Sequence, residues 1–275
     1  MKSRCLLIVM AVLFVVSTLV SSSYAVIDPN SVIGLWLFNE GQGDIATDSS
    51  GKGNDGTFVG GPTWTNGKFG KALQFDGEFD YVRISDTDES SGGADKQLTV
   101  AVCFKQDDPT ELAPGGEQYN GIVSKYFDAS NKDWGLIFRF DEVIFGYEAG
   151  ANDWESPSPV TSGILNTDTW YYVAFVLNGK EVTLYLDGAE VGKATLPTDT
   201  PDTTGAVEIG SVGYKGGGNL NHFFKGVVDE VVILNTVLSQ GDVKAIADRG
   251  IGNVLGLVAV EPPGKLATTW GSLKE

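Results

Sequence analysis

Residues 169–194 constrain the fold most. Residues 169–177 are β-branched and aromatic, Asn178-Gly179 follows, 181–186 reads Glu-Val-Thr-Leu-Tyr-Leu, and Asp187-Gly188 leads into 189–194. Asn-Gly and Asp-Gly supply the positive φ angles of two-residue hairpin turns. The segment therefore predicts three consecutive antiparallel strands. Alternation puts Val182, Leu184 and Leu186 on one face and Thr183, Tyr185 and Asp187 on the other.

The rest of the chain carries the same signal less cleanly. Strands are predicted over 33–38, 72–75, 81–84, 98–104, 122–126, 135–140, 142–147, 207–209 and 227–234, separated by glycine- and proline-containing turns. Glycine supplies 36 of 275 residues, well above the usual ~7 %. Many short strands with such punctuation argue for an all-β, antiparallel two-sheet sandwich. One short helix is predicted near the C-terminus, capped by Ser239 with Asp242 three residues on and closed by Gly250. Val243, Ile246 and Ala247 are its apolar stripe. No period of 20–50 residues is present, which argues against a solenoid or propeller.

The first 25 residues read as an address. Lys2 and Arg4 precede a run over 5–20 that is apolar apart from Ser17 and Thr18, and Ser23-Tyr24-Ala25 fits a small-x-small cleavage rule. The run is short for the ~20 residues of a membrane span. A signal peptide cut after Ala25 is expected, with no membrane span left once it is removed. The domain reading is thus a signal peptide over 1–25, a folded domain over 26–250 and a tail over 251–275. Cys5 leaves with the signal, so Cys103 has no disulfide partner and reads as a small buried hydrophobe.

Charge narrows the partners. The chain holds 36 acidic and 19 basic residues, a net charge of −17. Such a surface repels phosphate backbones and anionic headgroups, so no nucleic-acid partner is expected. The single histidine, His222, leaves no basis for histidine-based metal or triad chemistry.

A family resemblance rests on ordered motifs. Residues 35–84 contain Asn39-Glu40-Gly41, the turn Asp48-Ser49-Ser50-Gly51-Lys52-Gly53-Asn54-Asp55-Gly56, Trp64, Gly67-Lys68-Phe69-Gly70-Lys71-Ala72-Leu73, and Phe75-Asp76-Gly77 before Asp80-Tyr81-Val82. Later come Trp170-Tyr171-Tyr172-Val173, Tyr185-Leu186-Asp187-Gly188, and Phe224-Lys225-Gly226-Val227-Val228-Asp229-Glu230-Val231 with Leu238-Ser239. Over about 31–249 this resembles a laminin-G-like jelly-roll domain of the concanavalin-A-like lectin/glucanase superfamily. One departure is Cys103-Phe104, where related domains often carry Trp; it reads as a core substitution.

The resemblance implies a jelly-roll sandwich and one structural Ca²⁺ on its outer face. Ca²⁺ takes six to eight oxygens, many of them carbonyls of an irregular loop. The 48–56 loop offers Asp48, Gly51 and Asn54, and Asp229 resembles the aspartate that completes such sites. These four are the expected metal residues. Superfamily glucanases need two carboxylates facing a cleft, about 5–5.5 Å apart for retention. Glu78 and Asp80 alternate but lie in a turn motif, and adjacent Asp229-Glu230 are expected on opposite faces of a strand. No catalytic residue is assigned, and the chain is not expected to be an enzyme.

Binding is the expected role. Aromatic rings stack on sugar faces, and functional residues collect on loops. Tyr119, Tyr126, Trp134, Tyr147, Trp154 and Tyr214 lie in or beside the irregular stretches, and Trp154, Trp134 and Tyr147 are the expected ligand residues. Trp36, Trp64 and Trp170 fit the core or the family motif. The expected protein is a secreted or cell-surface adhesion module that recognises extracellular polysaccharide. Two alternatives stay open: a structural module that binds a surface or matrix protein, and a diverged glycoside hydrolase.

Overall fold

The computed structural model describes residues 27–86, 88–91, 95–107, 119–128, 131–139, 141–148, 154–155, 160–197, 200, 204–212 and 223–257. Six short strands come first: β1 Val32–Trp36, β2 Ile45–Ala46, β3 Gly56–Val59, β4 Thr63–Asn66, β5 Lys71–Asp76 and β6 Tyr81–Ile84. Four longer ones follow: β7 Gln97–Gln106, β8 Tyr119–Asp128, β9 Asn131–Arg139 and β10 Glu142–Glu148. Then come β11 Trp154–Glu155 and β12 Thr161–Ile164, and the meander β13 Trp170–Asn178, β14 Glu181–Leu186 and β15 Ala189–Thr195. Strands β16 Ala206–Ile209 and β17 Lys225–Leu234 precede helices α1 Gln240–Arg249 and α2 Ile251–Val254.

The strands form two antiparallel sheets. Sheet A has the order β15-β14-β13-β7-β17-β5-β4, with β1 also on β17; sheet B has the order β11-β10-β9-β8-β16-β6-β3-β2, with β12 on β10. The meander forms as its turns predict. Leu186 pairs with Ala189 across Asp187 and Gly188, whose φ angles are 49° and 79°. Those paired positive angles are what a two-residue hairpin needs to match strand twist. Val182 and Leu184 then face the inter-sheet core, while Tyr185 faces the other way.

Two apolar layers result. Between the sheets lie Trp36, Phe75, Phe104, Trp134, Phe138, Phe145, Phe175 and Phe224. Their rings meet at angles, as Phe145 and Phe175 do at 4.8 Å and 62°, the arrangement that aromatic quadrupoles favour. The second layer lies on the outer face of sheet A. There Leu35, Ala101, Cys103, Tyr172 and Val232 pack under Val243, Ile246, Ala247 and Ile251. Helix α1 is too short to be stable alone. Burying each large apolar side chain contributes ~2 kcal/mol, and a capping box at Ser239 and Asp242 fixes its start. Gly250, with φ 79°, turns the chain directly into α2; the sequence gives no sign of this second helix.

Asp86 and Ser90, after β6, are tied down by a buried lysine. The Lys125 side chain is wholly buried, and its Nζ donates to Asp86 Oδ1 and to Ser90 Oγ at 2.8 Å. The Trp134 indole donates to the Ser90 carbonyl at 2.8 Å. No helix among the described residues is long and apolar enough to cross a membrane.

Candidate functional site

The 48–56 loop is organised by one carboxylate. Asp48 Oδ1 accepts from the amides of Leu35 (3.0 Å) and Ser50 (2.9 Å). Its Oδ2 accepts from Ser50 Oγ (2.8 Å) and the Asn54 amide (3.0 Å). The Asn54 side-chain amide donates to the Ile33 carbonyl at 2.8 Å, and its backbone carbonyl accepts the Trp36 indole at 3.0 Å. The loop therefore surrounds its carboxylate with N–H and O–H donors. A cation needs the lone pairs those donors already occupy.

Asp229 serves a different loop. Its Oδ2 accepts the Phe69 amide at 2.7 Å, in the β4–β5 turn. No group of three or more His, Cys, Asp or Glu side chains able to hold a metal ion occurs among the described residues. Asp48 and Asn54 thus share one loop with Gly51, while Asp229 braces the β4–β5 turn. Backbone amides are positive partners of both carboxylates.

Asp229 and Glu230 sit on a bulge. Strand β17 pairs with β5 over 225–228 and with β1 over 231–234, and its register on β7 shifts between Val228 and Val231. Both of those valines face the inter-sheet core. The two acids between them therefore leave the core together, and the expectation of opposite faces is corrected. A bulge of this kind re-aims side chains. Glu230 accepts the amides of Ile251 (2.8 Å) and Gly252 (3.3 Å) at the start of α2. Gly250 lies so close that a Cβ there would stand 2.8 Å from a Glu230 oxygen.

Desolvation dominates this pair. Burial pushes Asp229 up to about 6, against the Phe69 and Lys68 amides and the Lys68 charge. Burial pushes Glu230 up to about 7, with the neighbouring Asp229 charge adding and the Ile251 amide opposing. Asp229 Oδ1 and the Tyr172 hydroxyl are buried without hydrogen-bond partners. The Cys103 thiol and the Tyr172 hydroxyl are raised well above their ordinary values by burial and by these carboxylates. The cluster joins the β4–β5 turn and α2 to sheet A.

The expected ligand aromatics fare unevenly. Trp134 is wholly buried and packs on Phe175 at 5.5 Å. Alternation on β9 sends Trp134, Leu136 and Phe138 inward together, so Trp134 is a core residue and not a ligand platform. Tyr147 lies opposite Trp134 on one side and Glu155 on the other, and Trp154 lies opposite Glu148. The side chains of Tyr119, Tyr126, Tyr147 and Trp154, and Tyr214 as a whole, lie outside the described residues. Trp36 is a core residue as expected, while Trp64 is half-buried with its indole on the Gly43 carbonyl at 2.9 Å.

The outer face of sheet B carries a row that sequence alone did not single out. Register aligns Ile45, Thr57, Arg83, Glu208, Ser124, Gly135 and Gly146 across seven strands. From Glu208 to Gly146 the row is buried. Its other end is open: Ile45, Thr57 and Arg83 are exposed. Arg83 reaches Glu208 at 3.7 Å.

An aromatic group stands at that open end. Tyr81 lies on the same strand and face as Arg83, and its ring stacks on Phe223 at 6.1 Å and 21°. Phe79 meets Tyr81 edge-on at 6.0 Å and 82°, and Phe223 at 5.6 Å and 66°. It is the one exposed aromatic ring among the described residues, at 43 %. Its turn is braced from both sides. Asp76 Oδ1 accepts the Glu78 amide at 2.8 Å, and Asp80 Oδ1 accepts the Gly61 amide at 2.6 Å. The alternation Phe79-x-Tyr81-x-Arg83 after Asp-Gly was the available signal.

Comparison with known proteins agrees with this architecture. Domain 4 of an extracellular arabinanase from Geobacillus stearothermophilus, solved with arabinotriose, superposes with TM-score 0.60 at 19 % identity, covering 79 % of this chain and 98 % of that one. The receptor-binding domain of a botulinum neurotoxin C/D mosaic gives 0.58 at 15 %, covering 80 % of this chain and 52 % of that one. A Trypanosoma rangeli sialidase with sialic acid gives 0.57 at 14 %, covering 79 % and 33 %. These likenesses establish the fold. Comparison with curated proteins returns no match. The laminin G-like family matches residues 76–244, and the chain belongs to that family of the concanavalin A-like lectin/glucanase superfamily.

Proposed function

We propose that this chain is a secreted or surface-displayed binding module for extracellular carbohydrate, without hydrolytic activity of its own. The observation that supports the reading is the jelly-roll sandwich itself, which superposes on an arabinanase domain solved with arabinotriose. Two acids on the outer face of sheet B, Glu208 and Glu142, stand three strands and four residues out of line, which is about 20 Å at ~4.8 Å per strand and ~3.3 Å per residue. Glycosidase pairs stand about 5–9.5 Å apart. Each of the two also has an arginine partner, Arg83 and Arg139. Burial works to raise Glu142, but the Thr161 hydroxyl and Arg139 hold it below its ordinary value. A general acid needs the opposite shift.

The leader over 1–25 supports export, and the acidic charge suits an extracellular surface. The arabinanase domain seen with arabinotriose supports sugar as the ligand class. A glycan array with residues 26–275 tests the reading, run beside a reducing-sugar assay on whichever glycans bind. Saturable binding with no sugar released is the expected result. Release of reducing sugar that is lost in Glu208→Gln or Glu142→Gln would return the chain to the hydrolases. Silence across the array would favour the protein-binding alternative.

A further inference from the structure

We infer that the sugar site is the open end of the sheet B outer face, and that it takes a neutral oligosaccharide stacked on Phe79. This rests on the glycan-binding reading above and adds place and ligand class. Four observations carry it. Phe79 is an exposed ring where every other described aromatic is at least half-buried. A ligand stacked on it would remove apolar surface from water.

The ring is also pre-organised. Edge contacts with Tyr81 and Phe223 hold its plane. Asp76 and Asp80 fix the backbone on both sides of it through the amides of Glu78 and Gly61. A platform already rigid loses little entropy when a ligand docks. A sugar presents a C–H face to such a ring and hydroxyls around its rim. Glu78 and Asp76 are exposed beside Phe79, and Thr57 and Arg83 are exposed along the same face. Carboxylates accept and the guanidinium donates.

Charge sets the class. Asp76, Glu78 and Asp80 crowd the platform, on a chain of net charge −17. An acidic saccharide meets repulsion there. Arg83 does not offset it, because Glu208 is its neighbour at 3.7 Å.

Calorimetry with residues 26–275 tests this, using arabinotriose, xylotriose and cellotriose as probes and trigalacturonate as the acidic counterpart. At least one neutral trisaccharide binds, and trigalacturonate binds about ten-fold more weakly or not at all. Phe79→Ala lowers the affinity about ten-fold or more, and Phe79→Trp keeps it. Phe79→Leu fills the same packing space without a ring face and behaves as Phe79→Ala, so it decides the matter if the alanine variant melts early. Binding that survives in both Phe79→Ala and Phe79→Leu overturns the site but leaves the glycan-binding reading intact. Tighter binding of trigalacturonate overturns the neutral class. Failure of every sugar to bind the unaltered chain overturns the proposed function itself.

Discussion

Asp48 and Asp229 are both carboxylates removed from water, and both brace a turn through backbone amides. They differ in supply. Asp48 is met by three amides and a hydroxyl, which replace the water it lost. Asp229 has one oxygen buried without a partner, and a second acid, Glu230, beside it. Burial is therefore not the quantity that decides whether an acid stabilises this fold. The number of donors aimed at it is.

The comparison predicts its largest effect in the pH dependence of stability. Asp229 and Glu230 have folded values of about 6 and about 7, above their ordinary 3.8 and 4.5. The folded state then binds more protons than the unfolded state across that window, so stability falls as pH rises. At ~1.36 kcal/mol per unit, each contributes about 3 kcal/mol. Urea unfolding should give a higher midpoint at pH 5 than at pH 8. A midpoint that rises over that range would show that the amides of Phe69, Ile251 and Gly252 outweigh desolvation.

Asp48→Ala comes next. It strands the amides of Leu35, Ser50 and Asn54, and a buried unsatisfied group costs ~1–3 kcal/mol. Partial rehydration of an exposed loop brings the expected loss to about 4 kcal/mol. A loss under about 1 kcal/mol would mean that water replaces the carboxylate without penalty.

Glu230→Gln is expected to act more weakly and more selectively. It should remove about 3 kcal/mol of the fall between pH 5 and pH 8 and leave the Asp229 share. The two acids are close enough to couple, so the residual slope should be steeper at lower pH. An unchanged profile would assign the whole effect elsewhere.

These differences explain what was legible in the sequence. The meander was, because Asp187-Gly188 states its turn locally and alternation of Val182, Leu184 and Tyr185 states its faces. The capped helix was, because Ser239, Asp242 and Gly250 are near neighbours in the chain. The bulge at Asp229-Glu230 was not. It depends on β5 ending and β1 beginning along one edge of β17, strands more than 150 residues away. Trp134 was misplaced for a related reason. Its position beside polar residues looks like a loop, and only its pairing on β9 and β10 makes it core. Phe79 lies between Glu78 and Asp80 in the turn motif, and its contact with Phe223, 144 residues away, is not stated by any local pattern.

The smallest expected effect is that of a chelator. A calcium-stabilised sandwich loses thermal stability in EDTA, because the ion binds only the folded chain and its binding energy is folding energy. Here Asp48 already receives donors on both oxygens, and Asp229 is committed to the β4–β5 turn. Calcium would have to displace backbone amides that have no other partner to turn to. The melting temperature should therefore be the same in EDTA and in millimolar Ca²⁺. Asp48→Asn separates the two accounts further. It keeps one acceptor oxygen and removes the charge, so in the amide-bound loop it should cost less than Asp48→Ala. In a calcium site it would abolish a chelator response. A fall in melting temperature with EDTA, absent in Asp48→Asn, would place an ion in the 48–56 loop and show that its amides turn aside to admit one.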